Sequence, residues 1–268
     1  MESAESTTTR STRGRRERLR AETTAEIKGV ALALMAAGGP DAITLRAIAR
    51  EMGMTANAIY GYFATRDDLV TALIDDVYTA LADAVDAAWA ATPIEQPATR
   101  IRAWAHAFRS WALGNPEGFR LIYGDPVPGY RAPEGGAAPD AAHRVCTGLA
   151  GLADAAWPHA GHLHENTGFA PPAADPAAAP ATDSATADAP GFDWSDFDPG
   201  LLAKVRPAYP DLPPAGVALA LRLWGSLHGM VSLEIYGHLS RQTTSPDKLF
   251  DQELGALVRS LGLTVPHG

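Results

Sequence analysis

Thr44, Arg46, Thr55, Asn57, Tyr60, Tyr62 and Arg66 fall within one stretch, TLRAIAREMGMTANAIYGYFATRDD. Their hydroxyl and guanidinium groups are donors suited to the anionic oxygens of a phosphate backbone. Ala56, Ala58 and Gly61 stand between them, and with Thr55 and Asn57 they make a helix slim enough to lie deep in a major groove. Thr44, Thr55, Tyr60, Tyr62 and Arg66 are therefore expected to hold phosphates, with Arg46 beside them. Ala56, Asn57, Ala58 and Gly61 are expected to face bases. The plainer alternative is a helical hairpin inside a larger bundle. A buried hairpin, however, would not place Asn, two Tyr and a capping Thr around one short helix.

Such chemistry needs two helices held at a steep angle. Leu45, Ile48, Ala49 and Met52 recur at helical spacing. Gly53 follows where the chain must leave the helix, and Thr55 can cap the next one, which carries Ile59 and Phe63. Ala49, Gly53 and Ile59 are spaced four and then six apart. That supplies a small residue at the crossing, a turn former and an apolar plug, so the pattern is a helix-turn-helix. A preceding helix, from roughly Arg16 to Ala37, carries Ile27, Val30, Ala31, Leu34 and Met35 on one stripe and stops at Gly38-Gly39-Pro40. A fourth, from near Arg66 to Ala91, repeats Leu69, Leu73, Val77, Leu81, Val85 and Trp89 and joins this head to the rest of the chain.

The run TLRAIAREMGMTANAIYGYFATRDDLVTALI resembles the DNA-binding domain of the TetR family of transcriptional regulators, over about Arg16 to Leu73. Tyr60, Gly61, Tyr62, Phe63 and Leu69 match the family's Tyr-X-Tyr-Phe-X-X-Lys-X-X-Leu ending, with Arg66 in place of the lysine. Arginine keeps the charge but not the shape. Further on, LWGSLHGMVSLEIYGHL resembles the C-terminal domain of a subgroup named for its Trp-His-Gly signature, matched by Trp224, His228 and Gly229. The loop GDPVPGYRAPEG fits the same subgroup. The resemblance implies an all-α protein with a three-helix DNA-binding domain and a helical ligand-binding and dimerisation domain. It also implies that the fourth helix links ligand state to the head.

The charge is split. Residues 1–68 carry a net +1 and residues 69–268 a net −10, within an overall −9. Arg10, Arg13, Arg15, Arg16, Arg18 and Arg20 collect just before and at the start of the first helix, where they can neutralise phosphates or form a solvated, disordered tail. Three parts are expected: a disordered basic arm over 1–14, the helix-turn-helix domain over 15–68, and a ligand-binding and dimerisation domain over 69–268. Cys146 is the single cysteine, so no intrachain disulfide can form, which fits a reducing cytoplasm. No signal peptide and no membrane-spanning run is read.

Beyond Pro93 and Pro97, Ile101, Trp104, Ala105, Phe108, Trp111 and Ala112 form a helical stripe ending at Gly114-Asn115-Pro116. Phe119, Ile122 and Tyr123 suggest a short helix, followed by the GDPVPGYRAPEGG loop and a further helix from Pro139 to about Trp157. Binding sites favour aromatic walls, so Trp104, Phe108, Trp111, Phe119, Ile122, Tyr123, Trp224 and His228 are the candidate ligand-binding residues. Ordinary core packing would use the same residues at the same spacing. Residues of about 158–190 are Pro/Ala/Asp-rich and read as a disordered insertion. His159, His162 and His164 precede its densest part, but with no nearby Cys they make a poor metal site. Phe192, Trp194 and Phe197 could form a lid, an anchor for the returning chain or a short linear motif.

The last two apolar helices, about Pro214–Leu239 and Pro246–Leu261, are what the family uses to build a homodimer, and Gly225 and Gly229 leave a smooth strip for close helix approach. A dimer also fits the recognition of palindromic DNA. The reading is a repressor released from its operator by a small, largely apolar effector. A ligand-independent architectural DNA binder is the alternative. An enzyme with a DNA-targeting head is disfavoured, because no phosphate loop, paired metal ligands or activated nucleophile is found. No cofactor is called for.

Overall fold

The computed structural model describes residues 3–160 and 191–264, with side chains from Gly14 onward. The fold is all-α: α1 Ser3–Gly38, α2 Leu45–Glu51, α3 Ala56–Tyr60, α4 Arg66–Ala90, α5 Pro97–Gly114, α6 Pro116–Tyr123, α7 Pro139–Ala156, α8 Pro199–Ala208, α9 Pro214–Ile235 and α10 Pro246–Ser260. The helices from α5 to α10 all open on proline, whose fixed φ and missing N–H suit a first helical position. α1 begins at Ser3, so the stretch expected to be disordered is continuous with the first helix. α8 was not anticipated. Its signal is Asp198 followed by Pro199: the aspartate carboxylate accepts the Gly200 and Leu201 N–H groups at 2.8 and 3.3 Å, capping the start.

Contacts divide the chain into two units, Met1–Thr79 with Asn115–Pro139, and Ala80–Gly114 with Asp140–Gly268. The first is the head. Its core is Ile27, Ile43, Ile48, Ile59, Leu69 and Leu73, all essentially out of solvent, and Lys28 on α1 pairs with Asp76 on α4 at 2.6 Å. α6 packs here as well. Gly118 lies so close to α4 that a Cβ would sit 3.3 Å from both Val77 methyl groups, and Phe119 is fully buried.

The second unit is built on Ile101, Trp104 and Phe108 of α5, Leu152 of α7, and Leu223, Leu227 and Val231 of α9, all buried. A smaller core gathers Ala150, Phe197, Val205, Leu212 and Val217, with Trp157, Trp194 and Tyr209 packed against it. The GFDWSDF stretch therefore serves as an anchor for the returning chain. Asp193 and Asp196 cap its 3₁₀ turn reciprocally, Phe192 stacks on Phe197 at 5.8 Å, and the Arg206 guanidinium lies 4.8 Å over the Trp194 ring. Of the expected insertion, residues 161–190, with His162 and His164, lie outside the described residues. No described helix is long and apolar enough to cross a membrane.

One buried charge ties three helices of this unit. Arg109 of α5 grips Glu234 of α9 bidentately, at 2.8 and 2.7 Å, and reaches Asp247 of α10 at 2.6 Å. Its side chain and that of Glu234 are 11% and 16% exposed. A nearly dry ion pair is stable only while both partners are present. Arg109→Met should therefore strand the Glu234 carboxylate and lower the unfolding free energy by about 3–5 kcal/mol, read from the urea midpoint. Pairing it with Glu234→Leu should recover most of that loss. Asp247→Asn, at a side chain 78% exposed, should cost less than about 1 kcal/mol.

Candidate nucleic-acid interface

The turn between α2 and α3 is closed by backbone alone. The Met54 N–H reaches the Ala49 carbonyl at 2.8 Å and the Gly53 N–H reaches that of Arg50 at 3.3 Å, the paired bonds of a Schellman motif. Gly53 sits at φ 64, in the left-handed region that glycine enters without penalty. Beneath the turn, Ala49 and Ile59 are both buried, so a small side chain lets α2 and α3 approach while Ile59 fills the space between them. This is the helix-turn-helix expected from the sequence.

Both helices are capped by threonine. Thr44 Oγ1 accepts the Ala47 N–H at 3.1 Å, and Thr55 Oγ1 accepts the Ala58 N–H at 3.2 Å. Capping uses an oxygen lone pair and leaves each hydroxyl proton to donate elsewhere. Thr44, Arg46, Thr55, Asn57, Tyr60 and Gly61 are exposed, while Ala56, Ala58, Tyr62 and Arg66 are half-buried. Tyr62 is held from α1: the Arg20 guanidinium lies 4.9 Å over its ring and donates to the Gly61 carbonyl at 2.8 Å. α4 then starts on a reciprocal cap, Thr65 N–H to the Asp68 carboxylate at 2.9 Å and Asp68 N–H to Thr65 Oγ1 at 3.0 Å.

Arg66 has work inside the head. Its Nε donates to the Ile43 carbonyl at 2.6 Å, Nη1 to that of Pro128 at 2.9 Å and Nη2 to that of Pro40 at 3.3 Å. Pro128 lies on the GDPVPGYRAPEGG strap, which is pinned again where Tyr130 and Thr71 share a hydrogen bond of 2.9 Å. Neither tie had a local signal in the sequence, because the partners are 62 and 59 residues apart.

The eight candidate ligand residues do not form one group. Trp104, Phe108, Trp111, Trp224 and His228 belong to the second unit; Phe119, Ile122 and Tyr123 belong to the head. In the second unit a chain of rings runs from Trp104 to Phe108, Trp224 and His228, with centroids 5.7, 5.5 and 4.7 Å apart in turn. The Trp104 indole N–H is buried without an acceptor among the described residues. His228 Nδ1 meets Ser232 Oγ at 3.3 Å, and burial pushes the imidazole below its ordinary range. In the head, Tyr123 packs against Phe119 at 5.1 Å and Tyr78 at 6.2 Å, and burial pushes its hydroxyl well above the usual phenol range. A groove of about 820 Å³ opens between α9 and α10, lined by Arg222, His228, Leu233, Glu253 and Leu257 among others. Of the eight candidates, His228 alone lines it.

Residues 27–73 match the bacterial regulatory proteins of the tetR family, and residues 101–257 match the tetracyclin repressor-like C-terminal domain. The HTH-type transcriptional regulators Mb1846 of Mycobacterium bovis and Rv1816 of Mycobacterium tuberculosis are each 34% identical over 229 residues, covering 83% of this chain and 85% of theirs. The crystal structure of SCO4313 is similar at 32% identity with a TM-score of 0.64, over 91% of this chain and 98% of the other. A tetR-family regulatory protein from Rhodococcus RHA1 shares the fold at 18% identity, TM-score 0.54, over 90% and 98% of the two chains. With a tetR-type helix-turn-helix at one end and a repressor-like helical domain filling most of the remainder, the chain belongs to the TetR family: it is a DNA-binding transcriptional regulator and not an enzyme.

Proposed function

We propose that the chain is a homodimeric cytoplasmic repressor that binds a palindromic operator and is released by a small, largely apolar effector. The observation that carries the DNA contact is the exposed face of α3, set between two capped helix starts. Thr44, Thr55 and Tyr60 offer hydroxyl protons to phosphates, Arg46 adds an exposed cation, and the exposed Asn57 reads a base edge. Tyr62 contributes its phenol from under Arg20. Arg66 brings only the N–H groups left over from its three carbonyl contacts, a smaller share than a lysine at that position would give. Ala56, Ala58 and Gly61 let the helix come close.

The dimer reading rests on the outer side of α9. Leu221, Leu233 and Tyr236 are exposed there at 48%, 41% and 43%. A Cβ added at Gly225 or Gly229 would meet nothing within 4 Å, so the strip is open to a second helix. The groove against α10 continues this surface, and a second copy related by a two-fold axis would cover it. Two heads could then address two half-sites about one helical turn apart.

For the effector, the half-buried Trp224 and His228 at the end of the ring chain are the rings a ligand could meet, and the Trp104 N–H, without an acceptor among the described residues, would suit a ligand carrying one. Trp224, His228 and Gly229 also support placing the chain in the Trp-His-Gly subgroup. An effector favouring one dimer spacing over another would shift the population away from DNA.

Three measurements check these assignments. Titration of the upstream DNA at fixed salt should show sequence-dependent binding, with Asn57→Ala losing about 1–3 kcal/mol per half-site on the specific site and almost nothing on unrelated DNA. Equal losses on both would remove Asn57 from base reading. Gly229→Leu has room in the monomer and gains helix propensity, so its melting temperature should hold or rise. Sedimentation should nevertheless show its dimer dissociating at least tenfold more readily; an unchanged dimer places the interface elsewhere. Trp224→Ala should weaken the effector response and spare operator binding, whereas loss of DNA binding would mark Trp224 as core alone.

A further inference from the structure

The strap from Gly124 to Ala138 belongs to the head, and its contacts concentrate at one place. Val127 is buried, the Pro128 carbonyl accepts from Arg66, Tyr130 bonds Thr71, and the Arg131 N–H reaches the Asp67 carboxylate at 3.3 Å. All three polar partners lie on the first two turns of α4. Through the same guanidinium, the strap is joined to Pro40 and Ile43, immediately before the Thr44 cap of α2. The strap thus sits where the starts of α2 and α4 come together. The α2 start carries Thr44 and Arg46, which operator binding would bring to phosphates.

Arg131 stands at this junction with an exposed side chain, and its guanidinium makes no hydrogen bond or ion pair among the described residues. It is the strap's only cation, against Asp125 and Glu134. The neighbouring Asp67 carboxylate is turned to the Arg131 main chain, which fixes the backbone of the residue and leaves its side chain to reach outward. Arg66, by contrast, spends three N–H groups on carbonyls. The charge at the start of α4 has therefore been partly drawn inward, while a second arginine is presented beside it from a distant part of the sequence.

We infer that Arg131 is a phosphate-contact residue, delivered to the operator backbone by the strap and supplementing the contact that Arg66 only partly supplies. The inference rests on the operator-binding reading. A guanidinium grips a phosphate with paired, charge-assisted hydrogen bonds, and each phosphate neutralised adds about 0.9 to the slope of log affinity against log salt.

The test is fluorescence anisotropy of labelled upstream DNA against the full chain across a salt series, with wild type, Arg131→Ala and Arg131→Lys. Arg131→Ala removes one contact from each protomer of the dimer, so it should lower the salt slope by about 1.8 and weaken specific and unrelated DNA by the same factor, because a phosphate contact carries no sequence information. Arg131→Lys should restore the slope. Because the side chain is exposed, the melting temperature of both variants should match wild type, which separates a lost contact from a lost fold. An unchanged slope in Arg131→Ala overturns the inference and leaves the operator reading standing. Absence of any sequence-dependent binding by wild type overturns the operator reading, and this inference with it.

Discussion

In the head, three carbonyl oxygens from separate lengths of chain converge on the Arg66 guanidinium: Pro40 and Ile43 from the link into α2, and Pro128 from the strap. Carbonyls left unpaired in a partly buried place would each carry a desolvation penalty, and a planar fork of N–H groups can answer several at once. A lysine ammonium is a compact point charge on a flexible stem and could not spread its donors across the same three positions. The shape difference between arginine and lysine therefore becomes a structural consequence. It fixes the entry to α2, the start of α4 and the strap as one body, and that body holds the Thr44 cap of α2 in place.

Between these starts, α3 is short. Five residues, Ala56–Tyr60, cannot hold themselves helical in water. They are kept so by the Schellman bonds at Gly53, by the Thr55 cap and by Ile59 in the core. From the other side, Arg20 closes the end of α3 through the Gly61 carbonyl and the Tyr62 ring. The rest of the exposed face can then be small, because the helix is held at its two ends and from the core side.

How much of this was legible beforehand follows from the range of each interaction. Gly53, Thr44 and Thr55 act on residues within five positions of themselves, so turn and caps could be read from the sequence. The starts of α5 to α10 carry proline, and their apolar stripes mark their lengths. Periodicity tells that a helix face is buried, but it does not tell against what. Phe119 and Tyr123 share their apolar character with Trp104 and Phe108, yet α6 packs in the head and α5 in the second unit. The same limit hid the grip of Arg109 on Glu234, 125 residues away, and the strap's ties to α4. α8 is a different case, since Asp198-Pro199 is a local start signal in a stretch where the aromatic cluster dominates the pattern.

The route of the chain shows why the strap needs its ties to α4. α4 passes from the head into the second unit, α5 ends there at Gly114, and residues 115–139 return to the head before α7 resumes the second unit. The chain crosses between units three times, and two of those crossings flank the segment that Arg66 pins. The strap's place in the head is therefore held by the Pro128, Tyr130 and Arg131 main-chain and side-chain ties to α4 as well as by its two covalent ends.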